Sequence, residues 1–158
     1  MCIRDRVKVL HVLAREFNVS VNSLLRNAEH TQSEDGGRVA RAGTHRYIDL
    51  SEKGISKEMY TPPACRSMDL CRATIEPGGS TGQELFVTGQ GEQIGVVLKG
   101  SLELWVGDRV MLLNEGDSFC YASSTPRRWR NPGSQTTEVI WAISNITQPA
   151  GDDTQQAP

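Results

Sequence analysis

From residue 46 to residue 147 the chain alternates apolar and polar positions over short runs that end in glycine, asparagine or proline. A period of two is typical of β-strands that bury one face. The runs include RYIDLSEK, SMDLCRATIEPGG, EQIGVVLKG, SLELWVG, RVMLLNEGDSFCYA, RRWRNPG and TTEVIWAISNI. Short strands with a turn signal roughly every 8–12 residues favour a mainly β sandwich or barrel. In SMDLCRATI we expect inward-facing side chains at Met68, Leu70, Ala73 and Ile75.

Residues 7–28 follow a different period. Apolar residues recur at spacings of three and four from Val7 to Phe17, which is typical of one face of an α-helix. Ser20 can cap a second short helix whose apolar face includes Leu24. Two helices this short are marginal in water on their own, so both need partners to cover their apolar faces.

Three polar segments flank these two regions. Residues 29–45 contain glycine and show no periodicity, so they predict a flexible linker. Residues 148–158 are expected to form a disordered tail. Residues 1–6, MCIRDR, resemble the translated remnant of a sequencing adapter, and the alternative is a short basic tail.

Composition narrows the class of protein. A chain of 158 residues with 37% hydrophobic and 23% charged residues predicts one main globular domain. The net charge of −2 provides no overall attraction to nucleic acid or to a membrane, so any DNA contact must be local. The four cysteines have no metal-ligand spacing, and the chain shows neither a signal peptide nor a membrane span. We therefore expect a cytoplasmic protein with reduced thiols.

The predicted helical pair resembles the last two helices of the five-helix DNA-binding domain in the XRE (Cro/repressor-like) helix-turn-helix family. The resemblance rests on the pattern L..LA..F.VS...LL over residues 10–25. In that family the recognition helix lies upstream of this pattern. The resemblance therefore implies that residues 7–28 are the C-terminal remnant of a truncated DNA-binding domain. The alternative is a helical hairpin that docks on the barrel or on a second chain.

Residues 91–131 resemble the cupin family, a double-stranded β-helix also described as a jelly-roll barrel. The second half of the family's metal-site motif is matched at the expected intervals by Gly107, Gly116, Asp117, Pro126 and Asn131. In the first half, Gly100 sets the register and puts Gln93 where the family has a glutamate. The resemblance implies a single cupin domain over residues 46–147.

The positions that hold histidine in metal-binding cupins hold other residues in this chain. The last such position holds Arg127, and no histidine occurs between residues 46 and 158. The first pair falls on Val87 and Gly89, or on Phe86 and Thr88 if the loop is one residue longer. First-row metals need converging imidazoles or carboxylates, and a guanidinium repels a cation. We expect no metal and no other cofactor.

Other catalytic arrangements lack support in the sequence. Cys120 has no histidine downstream to activate it. Ser123 is expected in a turn, and Glu84 and Glu92 are expected at the surface. The chain is therefore predicted not to be an enzyme.

A barrel without a metal can hold a small molecule. Strand alternation puts Arg127 and Trp129 on one face and Arg128 and Arg130 on the other. If the family register holds, Arg127 points inward and can pair with a carboxylate or a phosphate, so the effector is expected to be anionic. The alternative places Arg127 at the rim of the barrel. The candidate ligand-binding residues are Arg127, Trp129, Gln93, Tyr121 and Phe119, whereas Trp105 and Trp141 are expected to serve packing or an interface.

The order of the parts resembles XRE-family regulators with a C-terminal cupin sensor. That resemblance implies a homodimer that binds DNA with an affinity set by a small effector. In that family, effectors range from amino-acid-like molecules to polyamines and sulfur compounds. The alternatives are a cupin-fold enzyme, an isomerase or a dioxygenase, and a free-standing cupin that binds a small molecule.

Overall fold

The computed structural model describes residues 35–144, which form two antiparallel β-sheets. The first sheet has six strands in the order β1-β2-β3-β9-β4-β7, and the second has three in the order β6-β5-β8. The strands are β1 Arg46–Leu50, β2 Ile55–Met59, β3 Met68–Ile75, β4 Glu92–Lys99, β5 Ser101–Val106, β6 Arg109–Asn114, β7 Ser118–Ala122, β8 Arg127–Arg130 and β9 Thr137–Ser144. Every predicted run contains at least one strand, RVMLLNEGDSFCYA contains both β6 and β7, and only β2 lies outside the predicted runs, so the mainly β prediction is confirmed.

The inner faces of the two sheets share one hydrophobic core. Leu102 and Leu104 of the three-stranded sheet are fully buried, as are Val97 and Val139 of the six-stranded sheet. The strands meet in tight turns, and Gly107 takes the positive φ of 60° that a two-residue hairpin requires at its first position. The core therefore lies between the sheets, and inward-facing polar side chains from either sheet can meet there.

The prediction that Met68 and Leu70 face inward was wrong. Their side chains are 49% and 40% exposed, whereas Ala73 and Ile75 are fully buried. β3 is paired without a bulge against β9, so alternate residues must point to opposite faces. Residues 68 and 70 have the opposite parity to residues 73 and 75, and one regular strand cannot bury both pairs.

The outer face of the six-stranded sheet carries an apolar row across four strands. The strand register places Leu70 beside Ala142, Ala142 beside Ile94, and Ile94 beside Cys120. We call these four residues the outer row. Arg72 lies in the neighbouring row and forms an ion pair with Glu138 on the same face. The outer row is therefore apolar, with an ion pair on one side of it and the exposed Glu92 on the other.

Several predicted segments fall partly or wholly outside the described residues. The two short helices at residues 7–28, the first six residues and the tail at residues 148–158 all lie outside them. Of the predicted linker at residues 29–45, the described part is tied to the barrel, because the carbonyl of Gly37 accepts a hydrogen bond from the Ala64 N–H at 2.9 Å. Within residues 35–144, no helix has the length and apolar character needed to cross a membrane.

Candidate functional site

Three strands bring polar side chains together inside the barrel. Gln93 of β4, Tyr121 of β7 and Arg127 of β8 all face inward and are buried. The Tyr121 hydroxyl donates to Oε1 of Gln93 at 3.0 Å. The Gln93 amide Nε2 donates to Oγ1 of Thr88 at 3.1 Å and to Oγ of Ser123 at 3.3 Å. We call these five residues the polar network.

Arg127 is the charged member of the polar network. Its side chain is only 2% exposed, so it lies inside the barrel and not at the rim. Nη2 donates to Oγ1 of Thr88 at 2.6 Å, and Nη1 donates to the carbonyl of Ser123 at 3.0 Å. Nε is buried and has no hydrogen-bond partner. Among residues 35–144, no carboxylate lies within ion-pair distance of this guanidinium.

The backbone around Arg127 fixes its direction. β8 pairs with β5, and Val106 stands opposite Arg127 in the register. On the other side Phe86 bridges to Arg127, each residue donating its N–H to the other's carbonyl, at 2.9 and 3.0 Å. The guanidinium carbon lies 4.8 Å from the ring centre of Phe86 and 5.0 Å from that of Tyr121. Aromatic rings at these distances stabilise a cation that has lost its water.

Burial and electrostatic attraction shift the pKa values of Arg127 and Tyr121 in opposite directions. Burial lowers the pKa of Arg127, and the nearby Tyr121 hydroxyl works against that shift. Burial raises the pKa of Tyr121, and the positive charge of Arg127 opposes that rise. Because a guanidinium is protonated at any ordinary pH, the polar network holds one positive charge and a neutral phenol.

The aromatic side chains lie in a connected group behind the polar network. Phe119 stacks on Tyr121 with ring centres 5.9 Å apart and meets Trp141 edge-on at 5.2 Å. The Trp141 indole donates to the Tyr121 hydroxyl at 3.2 Å, so this residue joins the network through Tyr121. Trp129 packs against Trp141 at 5.2 Å and lies next to Lys57, whose Nζ is 5.9 Å from its ring.

The structure thus brings together Gln93, Tyr121 and Arg127 by hydrogen bonds and puts Phe119 against them. Trp129 shares their face of the barrel, with Trp141 as its aromatic neighbour. Sequence reasoning did not assign the network roles of Thr88, Ser123, Phe86 and Trp141. For two of these residues the sequence did contain a signal. Phe86 and Thr88 occupy the first pair of histidine positions of the cupin motif if the loop before β4 is one residue longer. The structure favours that longer loop, because Val87 is exposed while Thr88 reaches Arg127.

The metal implied by the cupin resemblance does not fit these residues. Arg127 presents N–H donors at its position, and Gln93 turns its amide N–H₂ toward Thr88 and Ser123. Divalent cations need lone pairs, and a guanidinium beside them adds repulsion. Within residues 35–144, no group of three or more His, Cys, Asp or Glu side chains is placed to hold a metal ion.

Of the other candidate reactive groups, Ser123 belongs to the polar network and the rest lie away from it. Cys120 is exposed and belongs to the outer row, on the opposite face of the six-stranded sheet. Glu84 and Glu92 are exposed, as predicted. Ser123 is buried, and its hydroxyl accepts a hydrogen bond from Gln93. What the network offers a ligand is a set of hydrogen-bond donors around one positive charge.

Comparison with known proteins identifies the barrel. Residues 71–143 match the family model of the Cupin_2 domain. The chain is 27% identical to the HTH-type transcriptional regulator PuuR of Escherichia coli over 101 residues, which are 63% of this chain and 54% of PuuR. The chain therefore spans about half the length of this curated relative.

Solved structures share the fold at low sequence identity. The Cupin_2 domain of an XRE family transcriptional regulator from Enterobacter cloacae is 19% identical with a TM-score of 0.51, covering 57% of this chain and 95% of that one. An RmlC-like cupin from Shewanella frigidimarina is 14% identical with a TM-score of 0.57, covering 70% of this chain and 92% of that one. The chain thus carries a Cupin_2 domain with a mainly β cupin fold, as the sequence predicted.

Proposed function

We propose that this chain, which carries a Cupin_2 domain, is the effector-sensing part of a cytoplasmic transcriptional regulator. A small molecule binds at the polar network, and binding changes the DNA affinity of a helix-turn-helix domain of the XRE type, of which residues 7–28 are the remnant. The observation that carries the proposal is Arg127, a buried cation with an unpaired Nε inside the barrel. The partial relationship to the regulator PuuR supports the same role.

A binding role suits the polar network better than a catalytic one. General acid–base or nucleophilic catalysis needs a carboxylate, imidazole or thiolate within hydrogen-bond reach of the reacting atoms. The partners of Gln93 and Arg127 are instead hydroxyls and a backbone carbonyl. We therefore propose that the domain is not an enzyme. A cupin isomerase or dioxygenase, and a free-standing binding cupin, remain the alternatives that the experiment must separate.

The first test couples ligand binding to DNA binding. A thermal-shift screen of small carboxylates, phosphates and amines against this chain supplies the ligand. A form of the protein that carries the complete helix-turn-helix domain is then titrated onto DNA from the region upstream of its gene. We expect the ligand to change the DNA dissociation constant by about 5-fold to 150-fold, the usual range of coupling between two sites. The measurement is fluorescence anisotropy of the labelled DNA.

Two results would contradict the sensor proposal in different ways. Conversion of the ligand, seen by NMR over hours, would indicate a cupin enzyme. Binding of the ligand with no change in DNA affinity would indicate a free-standing binding module. Arg130→Ala is a matched control, since Arg130 is on the same strand as Arg127 but pairs with Glu103 outside the barrel. This variant should keep the full coupling.

We further propose that the regulator is a homodimer that pairs through the outer row. A twofold contact sets a surface against a copy of itself, so an apolar, uncharged row is self-complementary. The row itself carries no charge, and among the described residues the charges next to it are the Arg72–Glu138 ion pair and the single exposed carboxylate of Glu92, which are too few to favour a strongly charged partner. A second copy of the chain is therefore the occupant that suits this face.

Ile94→Asp is expected to shift the protein from dimer to monomer. The side chain of Ile94 is 56% exposed in the outer row, and a carboxylate there would lose its water in the dimer without gaining a partner. Val110→Asp is the matched control, because Val110 is 55% exposed on the other sheet. Sedimentation velocity over a concentration series measures the effect. If both variants dissociate to the same extent, the dimer contact lies elsewhere than the outer row. If the wild type is already a monomer, the dimer proposal is wrong.

A further inference from the structure

One edge of the Arg127 guanidinium is only half used. Nε and Nη2 lie on the same side of the planar group and together form a fork that matches the two oxygens of a carboxylate. In the structure Nη2 donates to Oγ1 of Thr88, while the neighbouring Nε has no partner. A hydroxyl supplies one oxygen at an edge that offers two donors. The unpaired donor is buried, where its lost hydration is costly.

The hydroxyl of Thr88 occupies the point where the donors of the polar network converge. Its Oγ1 lies 2.6 Å from Nη2 of Arg127 and 3.1 Å from Nε2 of Gln93. An oxygen at this point accepts from both groups, and a second oxygen bonded to the same carbon can accept from Nε. The structure therefore holds a neutral, single-oxygen acceptor in a site that fits a charged acceptor with two oxygens.

The segment that carries Thr88 also covers the arginine. Thr88 itself is exposed, although the guanidinium beneath it is buried. The segment runs from residue 82 to residue 91. It contains Gly82, Gly89 and Gly91, which take positive φ values of 111°, 126° and 94°. It is attached to the barrel by the Phe86 bridge, by the Thr88 N–H, which donates to the Ser123 carbonyl at 3.2 Å, and by Nη1 of Arg128, which donates to Oε1 of Gln83 at 3.1 Å. Displacement of Thr88 would open Arg127 to solvent.

We propose that the effector is a carboxylate that binds the Nε and Nη2 edge of Arg127, and that Thr88 is a built-in competitor which the ligand must displace. This inference rests on the sensor function proposed above and names its ligand class. When a carboxylate displaces Thr88, one of its oxygens takes the bonds to Arg127 and Gln93, and the other pairs with Nε. The segment from residue 82 to residue 91 then moves away from the guanidinium.

The charge at the site selects among ligands. One buried cation compensates one negative charge, so a monocarboxylate is neutralised whereas a phosphate dianion keeps an uncompensated charge in a desolvated place. An amine brings only donors to a site that already presents donors. A carboxylate is thus favoured over both other classes.

The experiment measures binding of sodium propionate, inorganic phosphate and propylamine to the full chain at constant ionic strength. Propionate and propylamine have the same number of carbon atoms, so they differ in the charged group. Calorimetry gives the affinities, and tryptophan fluorescence gives an independent signal.

Thr88→Val removes the competing hydroxyl at nearly constant shape. Arg127→Lys keeps the charge but loses the fork. Arg130→Lys makes the same change on the outer face of the same strand, where Arg130 pairs with Glu103 and not with the segment that carries Thr88.

Propionate is expected to bind the wild type in preference to phosphate and propylamine. Thr88→Val should bind it roughly tenfold more tightly and Arg127→Lys roughly tenfold more weakly, because each change removes one charge-assisted hydrogen bond, from the competitor or from the ligand. In the Arg127→Lys background the gain from Thr88→Val should fall below about threefold, since the two residues act on the same edge. Arg130→Lys should bind propionate as the wild type does.

The proposal is overturned if phosphate or propylamine binds better than propionate, or if Thr88→Val leaves propionate affinity unchanged. Circular dichroism checks that each variant folds, and Thr88→Ala, which also lacks the hydroxyl, repeats the test if Thr88→Val does not. If propionate behaves as expected but no ligand changes DNA affinity, the sensor function fails and this inference stands. If a ligand changes DNA affinity without depending on Thr88 or Arg127, the inference fails and the sensor function stands.

Discussion

Trp141→Ala is expected to lower the free energy of unfolding by about 3–5 kcal/mol, the usual cost of emptying a buried tryptophan site. The side chain is 3% exposed and contacts the rings of Phe119 and Trp129. It belongs to β9, which lies between β3 and β4 inside the six-stranded sheet, so neighbouring strands cannot easily close over the cavity. The substitution also removes the donor to the Tyr121 hydroxyl.

Urea unfolding followed by far-ultraviolet circular dichroism measures this loss without relying on tryptophan fluorescence. We expect the midpoint to fall while the slope of the transition stays the same. Trp105→Ala is the matched control, because Trp105 is only partly buried and stacks on Arg128 outside the barrel. Its cost should stay near or below about 1 kcal/mol. Equal losses of unfolding free energy in both variants would show that the aromatic group inside the barrel stabilises the fold no more than Trp105 does.

The strands were predictable because their signal is local. In β8 the alternation of Arg127 and Trp129 with Arg128 and Arg130 assigns the two faces correctly, since a strand of four residues leaves no room for a bulge. The same reasoning failed in β3, where apolar residues occupy both faces. Leu70 is apolar because it belongs to the outer row, and no pattern within one strand distinguishes that row from the core.

The candidate site was predictable in part for a different reason. The intervals between glycine, proline and asparagine residues matched the cupin metal-site motif and so identified Gln93 and Arg127 as two of its positions. The structure places both residues in one polar network. Thr88 could not be chosen over its neighbours, because the segment before β4 has no periodicity from which to infer a direction. The contact of Trp141 with Tyr121 depends on the strand order, in which β4 separates β9 from β7. A sequence alone does not give that order.

Arg127→Met is expected to stabilise the fold by about 1–3 kcal/mol, the range seen when buried charged groups are replaced by apolar ones of similar size. In the native protein the desolvation cost of the guanidinium is offset by two hydrogen bonds to neutral oxygens, and Nε is unpaired. A methionine of similar length can fill the space and contact the rings of Phe86 and Tyr121 through its sulfur. The two acceptors keep other donors, since the Ser123 carbonyl accepts from the Thr88 N–H and Oγ1 of Thr88 accepts from Gln93.

The measurement is again the urea midpoint, read together with propionate binding on the same samples. Arg127→Ala separates charge from packing, because it removes the same charge but leaves a cavity, so its stability should fall below that of Arg127→Met by about 1–3 kcal/mol. Arg130→Met, on the outer face of the same strand, loses an exposed ion pair with Glu103 and should change stability by less than about 1 kcal/mol. A gain in stability with loss of propionate binding would identify Arg127 as a residue that weakens the barrel in order to hold a ligand. A loss of stability in Arg127→Met would instead mean that its bonds to Thr88 and Ser123 serve the fold, and that the ligand site must be sought elsewhere.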